Sequence, residues 1–233
     1  MFGRIARRYD LMNRLMTLGR DHAWRRYTVQ QLNFGSYARS KVVLDLATGT
    51  GDLAFEVLRQ RPDVVVIGLD LTPEMLALAR DKALSSPARP CFLAGDALRL
   101  PFSDAAFDGV VTGFALRNVA DIPAAFAEMA RVTQPGGRLA CLEIAMPVRP
   151  LFRRFFQLYF YRLVPLLGML ISGQRAAYTY LPHSLTSFLT PDEIATVMRR
   201  TGWTGVHHCR LMMGTVAVHS GTRKFQARAD VAL

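Results

Sequence analysis

The chain has 233 residues, 51% of them hydrophobic and 10% aromatic, which suffices for one ordered domain with a sizeable core and excludes a disordered or fibrous protein. Its formal charge of +11 favours a polyanionic partner, but no helix-turn-helix, RNP or zinc-finger pattern accompanies the arginines, so an anionic membrane surface is expected ahead of nucleic acid. Cys91, Cys141 and Cys209 stand alone, with no C-x-x-C pair, disulfide framework or metal-ligand set, and no apolar signal segment precedes Asp10; a reducing cytoplasm fits.

Residues 1–35 have helical spacing, with Ile5, Leu11, Met12, Leu15, Met16 and Leu18 apolar and arginines between them, and read as an N-terminal helical cap over a sheet edge or a substrate site. From Val42 the pattern changes to a buried parallel strand, broken by Asp45 and followed by Gly49-Thr50-Gly51. Glycines there admit positive φ and let a ligand lie against the backbone, where the helix from Leu53 offers its free N–H groups. A second strand, Val64 to Leu69, ends at Asp70, a carboxylate able to take two hydrogen bonds from a ribose diol. Thr72-Pro73-Glu74 is a helix start, with Thr72 as N-cap, and the helix runs to about Ala83. The third strand, Pro90 to Ala94, closes on Gly95-Asp96-Ala97. Three successive strands thus end in acids that face one crevice in an open parallel sheet. Taken alone, Gly49-x-Gly51-x-x-Ala54 with Asp70 also satisfies a nicotinamide-dinucleotide fingerprint, which leaves Asp96 without a role.

The fourth strand, Phe107 to Thr112, leads to Gly113-Phe114-Ala115-Leu116-Arg117-Asn118-Val119, then a helix from Asp121 to Arg131. Pro135-Gly136-Gly137 turns into a fifth strand, Arg138 to Ile144. Residues 147–189 form a greasy insertion, expected to be helical and to cover the substrate site. Arg153, Arg154 and Arg162 argue against a membrane span, because each would cost about 2.5 kcal/mol or more at the bilayer centre. An amphipathic segment resting on a bilayer is the expectation, with Pro165 kinking or ending its helix. Thr190-Pro191 opens a last helix that ends at Gly202, and Trp203 to Met212 and Thr215 to Gly221 read as an antiparallel hairpin joined at Gly214. Residues 222–233 read as a flexible tail.

The glycine loop, the three acids, Pro-Gly-Gly before the fifth strand and the closing hairpin resemble a class I S-adenosylmethionine-dependent methyltransferase, an α/β Rossmann-like fold with a seven-stranded, mostly parallel sheet. Tyr9-Asp10-Leu11-Met12-Asn13 through Trp24, Phe114 to Val119, Arg131 to Leu139 through Glu143, Tyr178 to Leu181 and Thr215 to His219 closely resemble the ubiquinone/menaquinone biosynthesis C-methyltransferase family over nearly the whole chain. Departures are Asp21-His22, where that family usually has a histidine three positions before the tryptophan, Gln134 in place of a common lysine, and Gly113 in place of a frequent serine. The resemblance implies methyl transfer from S-adenosylmethionine to a ring carbon of a prenylated quinol, demethylmenaquinol first and a methoxybenzoquinol second. It assigns Gly49, Thr50 and Gly51 to the cofactor backbone, Asp70 to the ribose, Asp96 and Ala97 to the adenine edge, and Asp45 to the loop and amino-acid end. Arg117 is expected to stabilise a developing phenolate and Asn118 to orient the ring, with the proton leaving through water, Tyr9, Tyr178 or His183.

Overall fold

The protein is described by a computed structural model covering residues 10–33, 41–87, 89–166, 169 and 188–225. Seven strands form one sheet: β1 (Val42–Leu46), β2 (Val65–Asp70), β3 (Cys91–Ala94), β4 (Phe107–Gly113), β5 (Thr133–Ile144), β6 (Trp203–Leu211) and β7 (Val216–Arg223). Their order is β3-β2-β1-β4-β5-β7-β6, with β1 to β5 parallel and β7 antiparallel to both of its neighbours. Six helices accompany the strands among the described residues: α1 (Asp21–Gln30), α2 (Asp52–Gln60), α3 (Pro73–Leu84), α4 (Ile122–Val132), α5 (Pro150–Leu158) and α6 (Pro191–Arg200), with a further helical segment over 10–16.

Both faces of the central strands are covered, which is why their apolar runs do not alternate. On one face α4 and α6 pack Phe126, Met129, Ile194 and Met198 against Leu44, Val110 and Leu139. On the other, α1 and α2 pack Val29, Ala54 and Val57 against Val43, Val111 and Ala140. Trp203 is fully buried and donates its indole N–H to the Phe126 carbonyl at 3.2 Å, which anchors the closing hairpin to α4.

Two local readings need correction, at Pro135-Gly136-Gly137 and at Thr222, and two gain detail, at Pro165 and Thr72. Pro135-Gly136-Gly137 is not a turn before β5 but an irregularity inside it: Phe107 pairs with Thr133 and Gly109 with Arg138, the surplus residues bulging out at Gly136 (φ +79°). Pro165 does not end its helix, because the five-residue π turn Tyr159–Leu163 comes just before it and the Val164 N–H bonds back to the Tyr159 carbonyl. That longer loop loosens the backbone where a proline would otherwise crowd the previous turn. Thr72 sits at the N-cap of α3 but its hydroxyl caps nothing. Thr222 and Arg223 do not belong to a flexible tail, since they continue the ladder against Arg138, Thr204 and Trp203.

His219 of β7 is fully buried, and its Nε2–H donates to the Pro191 carbonyl at 3.1 Å, tying the start of α6 to the sheet. Burial lowers its pKa from 6.5 to about 4. The unfolded chain therefore binds this proton at a pH where the folded chain refuses it, so stability is full above pH 6.5 and falls as pH drops toward 4. Between pH 7 and pH 5 the wild type should lose as much as about 2 kcal/mol of stability relative to His219→Asn in paired urea melts, a comparison in which the opposite contributions of the buried carboxyls common to both proteins cancel.

Candidate active site

The parallel strands open their C-terminal ends on one crevice, at the switch in strand order between β1 and β4. Asp45, near the end of β1, is completely buried. Its Oδ2 accepts the Thr48 hydroxyl at 2.5 Å and the Ala54 N–H at 2.9 Å, so one oxygen ties the glycine loop to α2. Burial, opposed by those two bonds, pushes the carboxyl up to about 7, and Oδ1 has no hydrogen-bond partner. Such a group gains from a cation at its free oxygen.

Asp70, at the end of β2, clamps the same loop from the other side. Its Oδ2 accepts the Gly49 N–H at 2.7 Å and its Oδ1 the Thr72 N–H at 2.8 Å. Gly49 (φ +57°) faces open space, where a Cβ would meet nothing within 4 Å. Gly51 (φ +86°), the N-cap of α2, has no such room, since a Cβ there would lie 2.8 Å from Phe92 Cζ. The first glycine leaves ligand space and the second permits the close packing that aims the helix N-terminus at it. Asp96 is exposed, its Oδ1 accepting the Leu98 N–H at 2.9 Å, with Ala97 partly buried beside it. Open backbone, acceptors for a diol and an exocyclic amine, and a buried carboxylate fit a nucleoside that carries a cationic tail.

The N-terminal segment is latched onto this cradle. Thr50 donates its hydroxyl to Asp10 at 2.7 Å, and Lys82 bridges Asp10 (2.6 Å) and Asp52 (2.8 Å). Arg25 joins Asp52 at 3.0 Å to Asp21 at 2.5 Å. Burial alone would raise the Asp52 carboxyl, but Arg25 and Lys82 outweigh it and hold it below its ordinary value. Asp21 thus has a use as an ion-pair partner within α1.

On the far side of the crevice, β4 leads through Phe114 (φ +57°) into a 3₁₀ turn, Leu116–Asn118. Ala47 (φ +54°) enters the glycine loop in the same rarely populated conformation, so both loops flanking the crevice are strained. Asp121 caps α4, its Oδ1 accepting the Ala124 N–H at 2.9 Å, so neither Arg117 nor Asn118 serves as that cap. The Arg117 side chain is only 8% exposed, yet its Nε and Nη1 have no hydrogen-bond partner. Glu143, near the end of β5, accepts the Leu116 N–H at 2.7 Å on Oε1, while its partnerless Oε2 lies 3.8 Å from Arg117 Nη1. Burial pushes the Glu143 carboxyl up, against the pull of Arg117 and the backbone N–H groups around it.

The glycine loop thus joins Asp45, Thr48, Gly49 and Asp70, while Arg117 meets Glu143, a residue not predicted for the site. A carboxylate interrupting a strand buried on both faces is a readable signal for Glu143. Asp10 and Lys82 carried none, since their contacts join distant parts of the chain. Gly113 cannot be the frequent serine here without repacking, because a Cβ would lie 2.9 Å from Leu53 Cδ1. Gln134 donates to Asp108 at the base of β4, away from the crevice. Tyr9, Tyr178 and His183 lie outside the described residues. Among those described, no group of acids, histidines and cysteines could hold a metal ion.

The seven-stranded fold is that of known methyltransferases. A phosphoethanolamine N-methyltransferase 2 from Haemonchus contortus, solved in complex with S-adenosyl-L-methionine, superposes with a TM-score of 0.61 over 86% of this chain and 52% of that one, at 14% identity. A demethylmenaquinone methyltransferase of Roseiflexus castenholzii is 46% identical over 96% of this chain and 92% of its own. One of Thermus thermophilus is 44% identical over 96% of this chain and 100% of its own. Residues 1–223 match the ubiE/COQ5 methyltransferase family, and the chain belongs to that family.

Proposed function

We propose that this protein transfers a methyl group from S-adenosylmethionine to a ring carbon of a prenylated quinol, with demethylmenaquinol as the substrate. The observation that carries this reading is Arg117, an enclosed guanidinium with partnerless N–H groups across the crevice from a nucleoside cradle. Buried donors without partners call for an acceptor, and a ring oxygen that gains negative charge as its carbon attacks is one. The names of the relatives supply the ring.

When bound, the cofactor supplies an electrophilic methyl on a sulfonium. The chain's own task is to hold donor and acceptor in line and to exclude water. Gly49 and Gly51 take the cofactor backbone, Asp70 the ribose hydroxyls, Asp96 and Ala97 the adenine edge, and Asp45 the cationic end. Thr50, whose hydroxyl is given to Asp10, contributes backbone contacts and holds the N-terminal segment down. Arg117 stabilises the phenolate and Asn118, exposed beside it, orients the ring. Label from radioactive S-adenosylmethionine should enter reduced demethylmenaquinol and stay out of its oxidised form; label in a polyprenyl methoxybenzoquinol alone would overturn the choice of ring, and label in neither the reading itself.

The chain is a single methyltransferase domain in this reading, with residues 1–35 and 147–189 roofing the substrate site. Tyr159, just past α5, donates its hydroxyl to the Met16 carbonyl at 2.9 Å, so the two segments meet. Among the described residues no helix is long and apolar enough to cross a membrane. α5 instead has an exposed apolar stripe, Leu151 (68%), Phe155 (61%) and Leu158 (61%), beside Arg153 and Arg154. Between Glu143 and Asp192 the sequence has no acid, so the stripe is flanked by positive charge alone. This composition suits a peripheral contact with anionic lipid, where a prenylated substrate resides. The protein should co-sediment with phosphatidylglycerol vesicles at low salt, and Leu151→Ser/Phe155→Ser/Leu158→Ser should weaken this at least about tenfold, given about 2 kcal/mol per buried large side chain; indifference of both proteins to the vesicles contradicts the contact.

A further inference from the structure

The ring hydroxyl needs somewhere to send its proton. Arginine is a poor acceptor, because its pKa exceeds about 12. Of the buried acids near the crevice, Asp45 also keeps one oxygen free, but it lies in the glycine loop's cradle, where that oxygen suits the cofactor's cationic end, and it stands two strands from Glu143, about 10 Å at ordinary strand spacing. His219 is committed to Pro191 on the far side of β5. Glu143 remains. It ends the strand next to β4, binds the turn that carries Arg117, and keeps one oxygen without a hydrogen bond.

We propose that Glu143 is the general base of the methyl transfer, with the ring hydroxyl seated between Glu143 Oε2 and Arg117 Nη1. The two atoms are 3.8 Å apart, too far to bond each other. An oxygen placed about 2.8 Å from both satisfies each, donating to the carboxylate and accepting from the guanidinium. Neither an anion nor a cation can do this; a hydroxyl can, because it is donor and acceptor at once. The two orphaned groups therefore describe their own ligand, and they assign a subsite to the oxygen neighbouring the methylated carbon. This rests on the quinol reading above.

Glu143 takes the hydroxyl proton, the ring carbon's electron pair forms the new carbon–carbon bond, and the methyl–sulfur bond breaks with its pair left on sulfur. The ring carbon then loses its own proton to water and aromaticity returns as Glu143 gives its proton back to the oxygen, for a net release of one proton. Among the described residues, the titratable groups facing Glu143 are Arg117 and the Cys141 thiol, which burial and the Glu143 charge push well above its ordinary range. A carboxyl raised by burial, as Glu143 is, takes up a proton more readily than an exposed one.

Glu143→Gln is the test, because the amide oxygen can still accept the Leu116 N–H while the group can no longer take a proton. The expected result is a fall in kcat of about 10²-fold at pH 7 with the cofactor Kd unchanged. The rate of the variant should climb with pH without a plateau, as hydroxide ionises the quinol instead, and Glu143→Asp should recover part of the activity. A wild-type pH profile at uniformly lower rates, or a variant that loses cofactor binding and melts early, makes Glu143 structural and overturns the proposal. So does full activity. Wild-type protein inactive on every quinol strikes the quinol reading; in that case the subsite fails too only if phenol binding in the presence of S-adenosylhomocysteine is also indifferent to Glu143→Gln.

Discussion

Asp70→Ala is expected to weaken cofactor binding about 10²–10³-fold, the larger share coming from the loop and the smaller from the ribose. Asp70 holds the glycine loop and the start of α3 at once, through the Gly49 and Thr72 N–H groups at 2.7 and 2.8 Å. Hydrogen bonds to a charged acceptor contribute about 1.5–3 kcal/mol each, and alanine removes both along with the acceptor for the diol. Each carboxylate oxygen has a second lone pair, so clamping the loop does not prevent ribose binding. Asp70→Asn should lie between, near tenfold, because an amide offers one acceptor where the carboxylate offered two. Calorimetric titration with S-adenosylhomocysteine measures this, and a Kd within threefold of wild type for Asp70→Ala would contradict it, on an energy scale where about 1.4 kcal/mol is tenfold.

Arg117→Ala should instead leave cofactor affinity nearly intact and lower kcat by about 10²–10³, the usual effect of removing one preorganised donor to a developing oxyanion. Its side chain is only 8% exposed and makes no hydrogen bond through Nε or Nη1, so little of the fold depends on those two groups. Lysine should restore less than a tenth of the rate, having the charge without the fixed planar fork. Melting curves accompany the kinetics, because deleting Arg117 leaves the buried Glu143 without its countercharge. Retention of full turnover would remove Arg117 from the chemistry.

The sequence was most legible where local rules suffice. β1 and the turn at Gly49 to Gly51 follow from strand periodicity and the glycine requirement, and of the three acids Asp70 ends β2, Asp45 lies one residue inside the end of β1 and Asp96 two residues past β3. Thr190 followed by Pro191 marked the start of α6 to the residue, and the fold adds the reciprocal capping bonds between Thr190 and Glu193. Misreadings came where a neighbour overrides the local signal. Pro135-Gly136-Gly137 is drawn into β5 by pairing with β4, and Thr222 and Arg223 are held by strands on both sides. The site was legible by type and not by partnership. That Asp70 spends both oxygens on the loop, that Thr50 is engaged by Asp10, and that Glu143 sits under Arg117 are consequences of folding, set by contacts no spacing rule reaches.

The methyl is expected on carbon, and only when the ring is reduced. A turnover with S-adenosylmethionine labelled with carbon-13 in its methyl group, followed by carbon NMR of the extracted product, tests this directly. A single aryl-methyl signal is expected from reduced demethylmenaquinol and none from the oxidised quinone. A methoxy signal would make the protein an O-methyltransferase, and an aryl-methyl signal from the oxidised ring would contradict the phenolate chemistry assigned to Arg117 and Glu143.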